Sequence, residues 1–241
     1  MKHLVFFGFY RDGNKYKYNF DIKSNKYNKY IYTPTINNEN NTNLNNEKMF
    51  LDKFGSNTKI VMYEYDKNIH INKYHKISKE KFINKWYQQA YRIFSFFYNI
   101  RGGLNMLKND KHNSEDIILL SRIDIGINII NENKIKENLD KYDVIVCDLG
   151  PNHVRDMYFI FKYKHIDVFI KLYDSYELYI SDIINNVKGH CISTRPEDIF
   201  YYHFSKNNLK IIDNRKDKMV NYIFKHVCSE FCGHNKTNTK T

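Results

Sequence analysis

Short, uninterrupted runs of apolar residues recur along the chain and constrain its fold more than any other feature of the sequence. They occupy residues 4–9, 30–33, 59–65, 117–125, 143–148 and 209–212. Runs of this length are typical of strands that are covered on both faces of a sheet. Helical patterns lie between them. The sequence therefore predicts an α/β fold, with a mostly parallel sheet flanked by helices.

Three amphipathic stretches are predicted to be helices, over residues 79–100, 165–186 and 196–204. In the first of them, large apolar residues recur at helical spacing and form one stripe. Ser78 is placed to cap the start of this helix. Gly102 and Gly103 are predicted to lie just past its end, where glycine commonly terminates a helix.

The alternation of strands and helices continues without a break, so a single domain is predicted over residues 1–230. Within it, the asparagine-rich stretch 37–47 is predicted to be a solvated, mobile loop, since asparagine favours turns over strand pairing. Residues 231–241 are predicted to form a polar C-terminal tail.

The formal net charge of +11 would ordinarily suggest a polyanionic partner. The composition weakens that signal, because the chain has 31 Lys but only 7 Arg and is also rich in Asn and Ile. All three abundant residues have A/T-rich codons, and a bias towards such codons enriches lysine without selection for binding. The few arginines are therefore the more informative basic residues.

No run in the sequence reaches the roughly 20 apolar residues that a membrane span needs. The apolar residues 4–10 are too few for a secretion signal and lack a small-residue cleavage site. Four cysteines in 241 residues do not make a disulfide framework. We therefore expect a soluble protein of the cytoplasm.

Charged residues follow the apolar runs, at the strand ends where ligands bind in open parallel sheets. Arg122 and Asp124 are two residues apart at such an end and would share one face of a strand. A carboxylate beside a fixed cation can hold a divalent ion together with a diphosphate. The alternative is an internal Arg–Asp pair with no ligand. Arg11, Asp12 and Asp148 follow two other predicted strands.

Two further charged pairs precede apolar segments. Arg155 and Asp156 follow a loop, and they either form a binding element or begin a helix or strand with the aspartate as its cap. Glu197 and Asp198 open the third predicted helix and could supply a general base on a rigid element. Glu197 also has capping-box spacing from Thr194. If Glu197 caps the helix, Asp198 is the better candidate for the base.

A cluster of metal-ligand residues lies near the end of the sequence, formed by His226, Cys228, Cys232 and His234. Zinc binding is conceivable there, although this spacing is not a common zinc-finger pattern. The other hypothesis is that one histidine of the cluster is a ligand of a metal in the active site. The sequence does not decide between them.

The order of these motifs resembles a loose set of GT-A-like glycosyltransferases found in capsule gene clusters and large DNA viruses. The resemblance spans roughly residues 4–213. The matching motifs are an apolar strand with Gly-x-x-Arg at 4–11, a Trp/Gln helix at 85–92, Arg-x-Asp at 121–124, an Asp before an aromatic segment at 155–159, and Pro-Glu at 195–197.

The resemblance implies a nucleotide-sugar donor near Gly8 and Arg11, with Arg122 and Arg155 among the donor-binding residues. It also implies that Asp124 binds Mn²⁺ or Mg²⁺ that bridges the diphosphate. Arg122 stands where the family has the first Asp of Asp-x-Asp, so metal dependence is open. The arginine could instead neutralise the diphosphate directly.

On the acceptor side, the resemblance implies a glycan or protein hydroxyl as acceptor, with Asp198, Glu197 or Asp156 as the catalytic carboxylates. Asp198 or Glu197 matches the base that removes the hydroxyl proton in an inverting reaction. If the source is viral, the protein would act in the host cytoplasm.

Two alternatives stay open. A nucleic-acid-binding protein would use lysines and exposed aromatics for backbone and stacking contacts, but no recognised nucleic-acid-binding signature is present. A member of the same fold that has lost catalysis would serve as a binding factor. The sequence has neither GxGxxG nor GxxxxGKS/T, so it gives no support for dinucleotide-binding or P-loop proteins.

Overall fold

The computed structural model describes residues 1–10, 21–36, 46–66, 68–69, 90–129, 131–151, 153–186 and 196–223. Its strands are β1 His3–Phe7, β2 Asn28–Pro34, β3 Thr58–Tyr63, β4 Ile117–Arg122, β5 Gly126–Ile129, β6 Val144–Val146, β7 Tyr158–Lys162, β8 Ile211–Asp213 and β9 Val220–Ile223. Its helices are α1 Glu47–Phe54, α2 Ala90–Lys108, α3 Glu132–Leu139, α4 Ile166–Asn186, α5 Pro196–Lys206 and α6 Asn214–Asp217, with a 3₁₀ turn at Tyr163–His165. The predicted tail and nearly all of the asparagine-rich stretch lie outside the described residues.

The central sheet has seven strands in the order β3-β2-β1-β4-β7-β6-β8. All neighbouring pairs are parallel except the two that involve β7. The predicted α/β class with a mostly parallel sheet flanked by helices is confirmed. β5 and β9 form a separate antiparallel pair.

The reversal of β7 follows from the length of its connection to β6. Residues 147–157 separate the two strands, and a return in parallel needs a crossover of about a dozen residues or more, usually with a helix. The shorter connection brings the chain back antiparallel, between β4 and β6. As a result β7 begins at the edge of the sheet where its neighbours β4 and β6 end.

The predicted end of the first long helix is wrong. Helix α2 continues through Gly102 and Gly103 to Lys108. A Cβ at Gly102 would lie 2.3 Å from the ring of Tyr32, and one at Gly103 would lie 2.9 Å from a methyl group of Val5. The two glycines therefore let the helix pack closely on the sheet, and they do not act as caps. Ser78, the predicted cap, lies outside the described residues.

The sheet is covered on both faces, which explains why its strands are apolar throughout. Alternate residues of each strand point to opposite faces. One face packs against α2, α4 and α5, where the rings of Phe161 and Phe169 stack with centroids 4.0 Å apart. The other face packs against α1 and α3 through Phe50, Phe54 and Ile135. None of the helices in the described ranges is long and apolar enough to cross a membrane.

Candidate active site

Charged side chains gather at the edge of the sheet where β1, β4, β6 and β8 end and β7 begins, which we call the carboxyl edge. Five elements therefore supply residues to one place. The charged residues are Arg122 at the end of β4, Asp124 two residues later, Asp148 after β6, Asp156 before β7 and Asp213 at the end of β8, and Gly8 follows β1 at the same edge. Sequence analysis placed all of these positions except Asp213 at strand ends or in a loop next to one.

Arg122 is the centre of the first charged cluster. Its Nε donates to Oδ1 of Asp124 at 2.9 Å, and its Nη2 donates to Oδ2 at 2.8 Å. Its Nη1 reaches Oδ2 of Asp156 at 3.4 Å. The exposed fractions of these side chains are only 19% for Arg122, 10% for Asp124 and 16% for Asp156. The two parallel hydrogen bonds fix the carboxylate of Asp124, and a single longer contact holds that of Asp156 beside the guanidinium.

The cluster extends to the start of α5. Burial by itself would lower the pKa of Arg122, but the charges of Asp124, Asp156 and Glu197 outweigh it and raise that pKa. Glu197 therefore lies close enough to act on the guanidinium. Its backbone carbonyl also accepts a hydrogen bond of 3.0 Å from the Val154 N–H, which ties α5 to the loop before β7.

The two candidate bases sit on a rigid element. Glu197 and Asp198 are both partly buried in the first turn of α5, where Pro196 is the first helical residue. Proline is favoured at that position because its missing N–H would have no helical partner. Thr194 and Arg195 lie outside the described residues, so the capping box predicted for Glu197 stays a prediction.

A second charged cluster adjoins the first and is centred on Asp148. Its Oδ1 lies 2.8 Å from Nη2 of Arg215, and its Oδ2 lies 3.2 Å from Nε of Arg155. Arg215 is also paired with Asp213. The neighbours Arg155 and Asp156 therefore do not form a pair, because Arg155 faces Asp148 while Asp156 faces Arg122.

Gly8 provides the backbone turn after β1. Its φ of +92° lies in the region that only glycine adopts without strain. Its N–H donates to the Tyr32 carbonyl at 3.1 Å, and its own carbonyl accepts from the Thr33 hydroxyl at 2.9 Å. A Cβ built on Gly8 would meet no described atom within 4 Å. None of the described residues therefore covers this side of the backbone. Arg11, predicted to act beside it, lies outside the described residues.

The acids around Arg122 offer oxygen atoms of the kind that bind divalent cations. One guanidinium faces the carboxylates of Asp124, Asp156 and Glu197, so the described members of the cluster carry an excess of negative charge. Each oxygen of Asp124 gives one lone pair to Arg122 and keeps another. Carboxylate oxygens are the ligands that Mg²⁺ and Mn²⁺ prefer. Asp124 and Asp156 are the side chains that would hold such an ion.

Sequence analysis missed Arg215 and Asp213. The signal was present, since Asp213 directly follows the apolar run 209–212 and Arg215 is one of only seven arginines. The same reasoning had identified Asp148 after its strand. The cluster of His226, Cys228, Cys232 and His234 lies outside the described residues.

Solved structures are similar to this chain, whereas its sequence gives no match to a known family. Neither a protein-family model nor a curated protein matches the chain. The apo form of mouse xyloside xylosyltransferase 1 matches over 88% of this chain and 84% of its own, with 9% sequence identity and a TM-score of 0.41. The expected likeness to viral and capsule-cluster enzymes rests on the sequence motifs alone.

Proposed function

We propose that the chain is a glycosyltransferase of GT-A-like fold, which transfers a sugar from a nucleotide-sugar donor to a hydroxyl of a glycan or protein. The observation that carries the proposal is the cluster of Arg122, Asp124 and Asp156 at the carboxyl edge. In open sheets of this kind ligands bind at that edge. The motif order in the sequence supports the same function.

The donor diphosphate would lie between the backbone of Gly8 and the Arg122 cluster. An excess of carboxylates repels a bare diphosphate, so the donor is expected to bind together with Mn²⁺ or Mg²⁺ at Asp124 and Asp156. When bound, the cation neutralises the charge that develops on the leaving diphosphate. Arg122 positions both carboxylates, and Arg155 supplies positive charge at the neighbouring cluster.

For the transfer, the acceptor oxygen forms a bond to the anomeric carbon as the bond from that carbon to the diphosphate oxygen breaks. The acceptor proton passes to a carboxylate, and the nucleoside diphosphate leaves. Asp198 is the proposed base, with Glu197 held beside the Arg122 guanidinium. A base fixed in the first turn of a helix suits this step, since general bases act from positions within hydrogen-bond reach.

The described surface does not favour a nucleic-acid-binding function. Among described residues, the exposed large apolar side chains are Val61, Ile69 and Leu178, and none of them is aromatic. Stacking on single-stranded bases needs exposed rings. The described aromatics instead pack in the two cores, as in the contacts of Phe97 with Tyr176 and Phe200.

Thermal unfolding and calorimetry against UDP-, GDP-, CMP- and dTDP-sugars, each with and without Mn²⁺, test the proposal. We expect one donor to stabilise the protein only with the cation, because a ligand that binds the folded state alone raises its stability. Asp124→Asn and Asp156→Asn should each abolish this shift. Asp174→Asn removes an exposed ion pair between Asp174 of α4 and Arg101 of α2, and it should leave the shift unchanged.

Donor turnover separates the roles further. Asp198→Asn should keep donor binding and lose about 10²- to 10⁴-fold in transfer or slow donor hydrolysis, the range typical of general-base catalysis. Binding of none of the donors would overturn the proposal. Donor binding with neither transfer nor hydrolysis would instead indicate a member without catalysis. Salt-sensitive binding of DNA or RNA alone would favour the nucleic-acid alternative.

A further inference from the structure

A second polar cluster lies at the opposite edge of the sheet, where the parallel strands begin, which we call the amino edge. His3 is the first residue of β1, Asp116 directly precedes β4, and His112 lies between α2 and β4. One donor atom of each lies within 4.8 Å of the donor atoms of the other two. At roughly 3.3 Å per strand residue, the cluster is about 16 Å from Gly8. It is therefore separate from the candidate active site.

The ring of His112 is oriented as in a metal ligand. Its Nε2 lies 2.5 Å from the Leu107 carbonyl oxygen, so Nε2 carries the proton and donates it. The other nitrogen of a neutral imidazole then holds a lone pair. That atom, Nδ1, is buried and has no hydrogen-bond partner among the described residues. Metal-binding histidines commonly donate their second ring N–H to a backbone carbonyl in this way.

His3 is fully buried and faces the same point. Its side chain has no exposed surface. Its Nε2 lies 3.4 Å from Oδ2 of Asp116, and its Nδ1 lies 3.4 Å from the side-chain amide of Asn28. With that amide turned, the Asn28 oxygen would accept the Nδ1–H and leave the Nε2 lone pair for a metal.

We propose that His3, His112 and Asp116 bind a zinc ion at the amino edge. Two imidazoles and one carboxylate form a ligand set that zinc accepts, with water in the fourth position. Two ligands at about 2.1 Å from a tetrahedral ion lie about 3.4 Å apart, which is the separation of His3 Nε2 and Asp116 Oδ2. The ion joins β1 to a connection 113 residues away in sequence.

Lys2 provides a probe that distinguishes a metal site from a packing contact. Its Nζ lies 2.9 Å from the same Oδ2 of Asp116, and its side chain is 51% exposed. This positive charge opposes a second cation at that oxygen. Removing it by Lys2→Ala should therefore strengthen zinc binding, whereas a cluster that serves packing alone has no such response.

The test is a competition titration of Zn²⁺ against a chromogenic chelator, using the full chain without a polyhistidine tag. The cysteines near the C-terminus could also bind zinc, so every protein carries Cys228→Ser and Cys232→Ser. In that background we expect one zinc per chain. His112→Gln and Asp116→Asn should each weaken it by about 100-fold or more, since even the loss of an outer partner costs about 10- to 100-fold.

The matched control is His165→Gln, because His165 is another half-buried histidine beside a carboxylate, Asp143. It should leave the zinc affinity unchanged, and circular dichroism should show every variant folded. His112 is only partly buried, so its substitution should disturb the fold less than that of the fully buried His3. Absence of bound zinc, or equal affinity in His112→Gln and its parent, would overturn the proposal. Weaker binding in Lys2→Ala would exclude Asp116 Oδ2 as a ligand.

Discussion

At the carboxyl edge of the sheet, Arg122 is paired with Asp124 and Asp156, and all three side chains are less than a fifth exposed. At the amino edge, Lys162 is paired with Glu115 and Asp140, which are 57% and 58% exposed. Both edges thus hold one cation between acids. Water screens Glu115 and Asp140, while Asp124 and Asp156 depend on the arginine.

This difference in exposure shows that the fold buries charged groups at the carboxyl edge. Ion pairs in a dry setting contribute little net stability, but they hold charged groups in fixed positions. Exposed ion pairs contribute little to stability, and they do little to hold their charged groups in place. A place in which several elements bring buried carboxylates around one guanidinium is therefore better explained by binding than by stability. The largest differences between the two edges should appear when the central cation is removed.

Arg122→Met should have the largest effect on stability. It leaves Asp124 and Asp156 buried without their partner, and the loss of one member of a buried pair costs about 3–5 kcal/mol. Lys162→Met keeps a similar apolar stem and leaves acids that water solvates, so we expect less than about 1 kcal/mol. Urea unfolding measures both. Equal losses would mean that the two edges do not differ in the way their burial indicates.

Zinc should have the next largest effect, and it should act on the amino edge alone. At a free concentration 100 times its Kd, an ion that binds only the folded protein adds about 2.7 kcal/mol to the free energy of unfolding. Sites more than about 10 Å apart with no shared partner usually act additively. The stabilisation by zinc and that by a nucleotide-sugar should therefore sum in unfolding measurements. Added to the zinc-loaded protein in the absence of donor, Mn²⁺ and Mg²⁺, a chelator such as EDTA should reverse the stabilisation by zinc. Strong non-additivity of zinc and donor would show that the edges are coupled.

The layers of this fold could be predicted from the sequence because burial on both faces leaves continuous apolar runs. The strands at 4–9, 30–33 and 143–148 were found in this way, and so were the helices that became α4 and α5. The end of α2 could not be found, because glycine stops a helix or lets it pack closely, and only the position of Tyr32 decides which. The direction of β7 was not predicted either, although the short connection from β6 to β7 carries that information.

Part of the candidate site could also be predicted from the sequence, because the apolar runs show where strands end. Strand ends locate Arg122, Asp124 and Asp148, since parallel strands all end at one edge. Which arginine pairs with which acid is decided by tertiary contacts, so the division of Arg155 and Asp156 between two clusters could not be predicted. The amino-edge histidines gave no sequence signal, because His3 and His112 are 109 positions apart.

Replacing Gly8 or Gly55 by alanine distinguishes the cost of backbone strain from the loss of a ligand contact. Gly8 and Gly55 both have positive φ, +92° and +96°. Either substitution costs about 1–2 kcal/mol of strain, and at Gly55 a Cβ would also lie 3.1 Å from the Lys23 carbonyl oxygen. Gly55→Ala should therefore be the more destabilising in urea. Gly8→Ala should be the one that loses donor affinity, and retention of that affinity would place the diphosphate elsewhere.

The smallest effect should appear in acid, at Asp213. Burial by itself would raise the pKa of Asp213, but the Arg215 side chain and the N–H groups of Arg215 and Leu149 hold it below its ordinary value of 3.8. The pairing therefore contributes stability above about pH 4 that is lost as the pH falls through the lower, folded-state pKa. In Asp213→Asn the free energy of unfolding should therefore fall less steeply as the pH is lowered, by at most about 1.4 kcal/mol per pH unit.

Asp140→Asn provides the amino-edge control for that measurement. Hydrogen bonding to Lys162 also lowers the pKa of Asp140, but this carboxylate is 58% exposed and solvent screens its pairing. Unfolding in urea between pH 3 and pH 6 should therefore change less for Asp140→Asn than for Asp213→Asn. The reverse order would mean that the exposed acids contribute as much as the buried ones, and the contrast between the edges would then lie in their ligands alone.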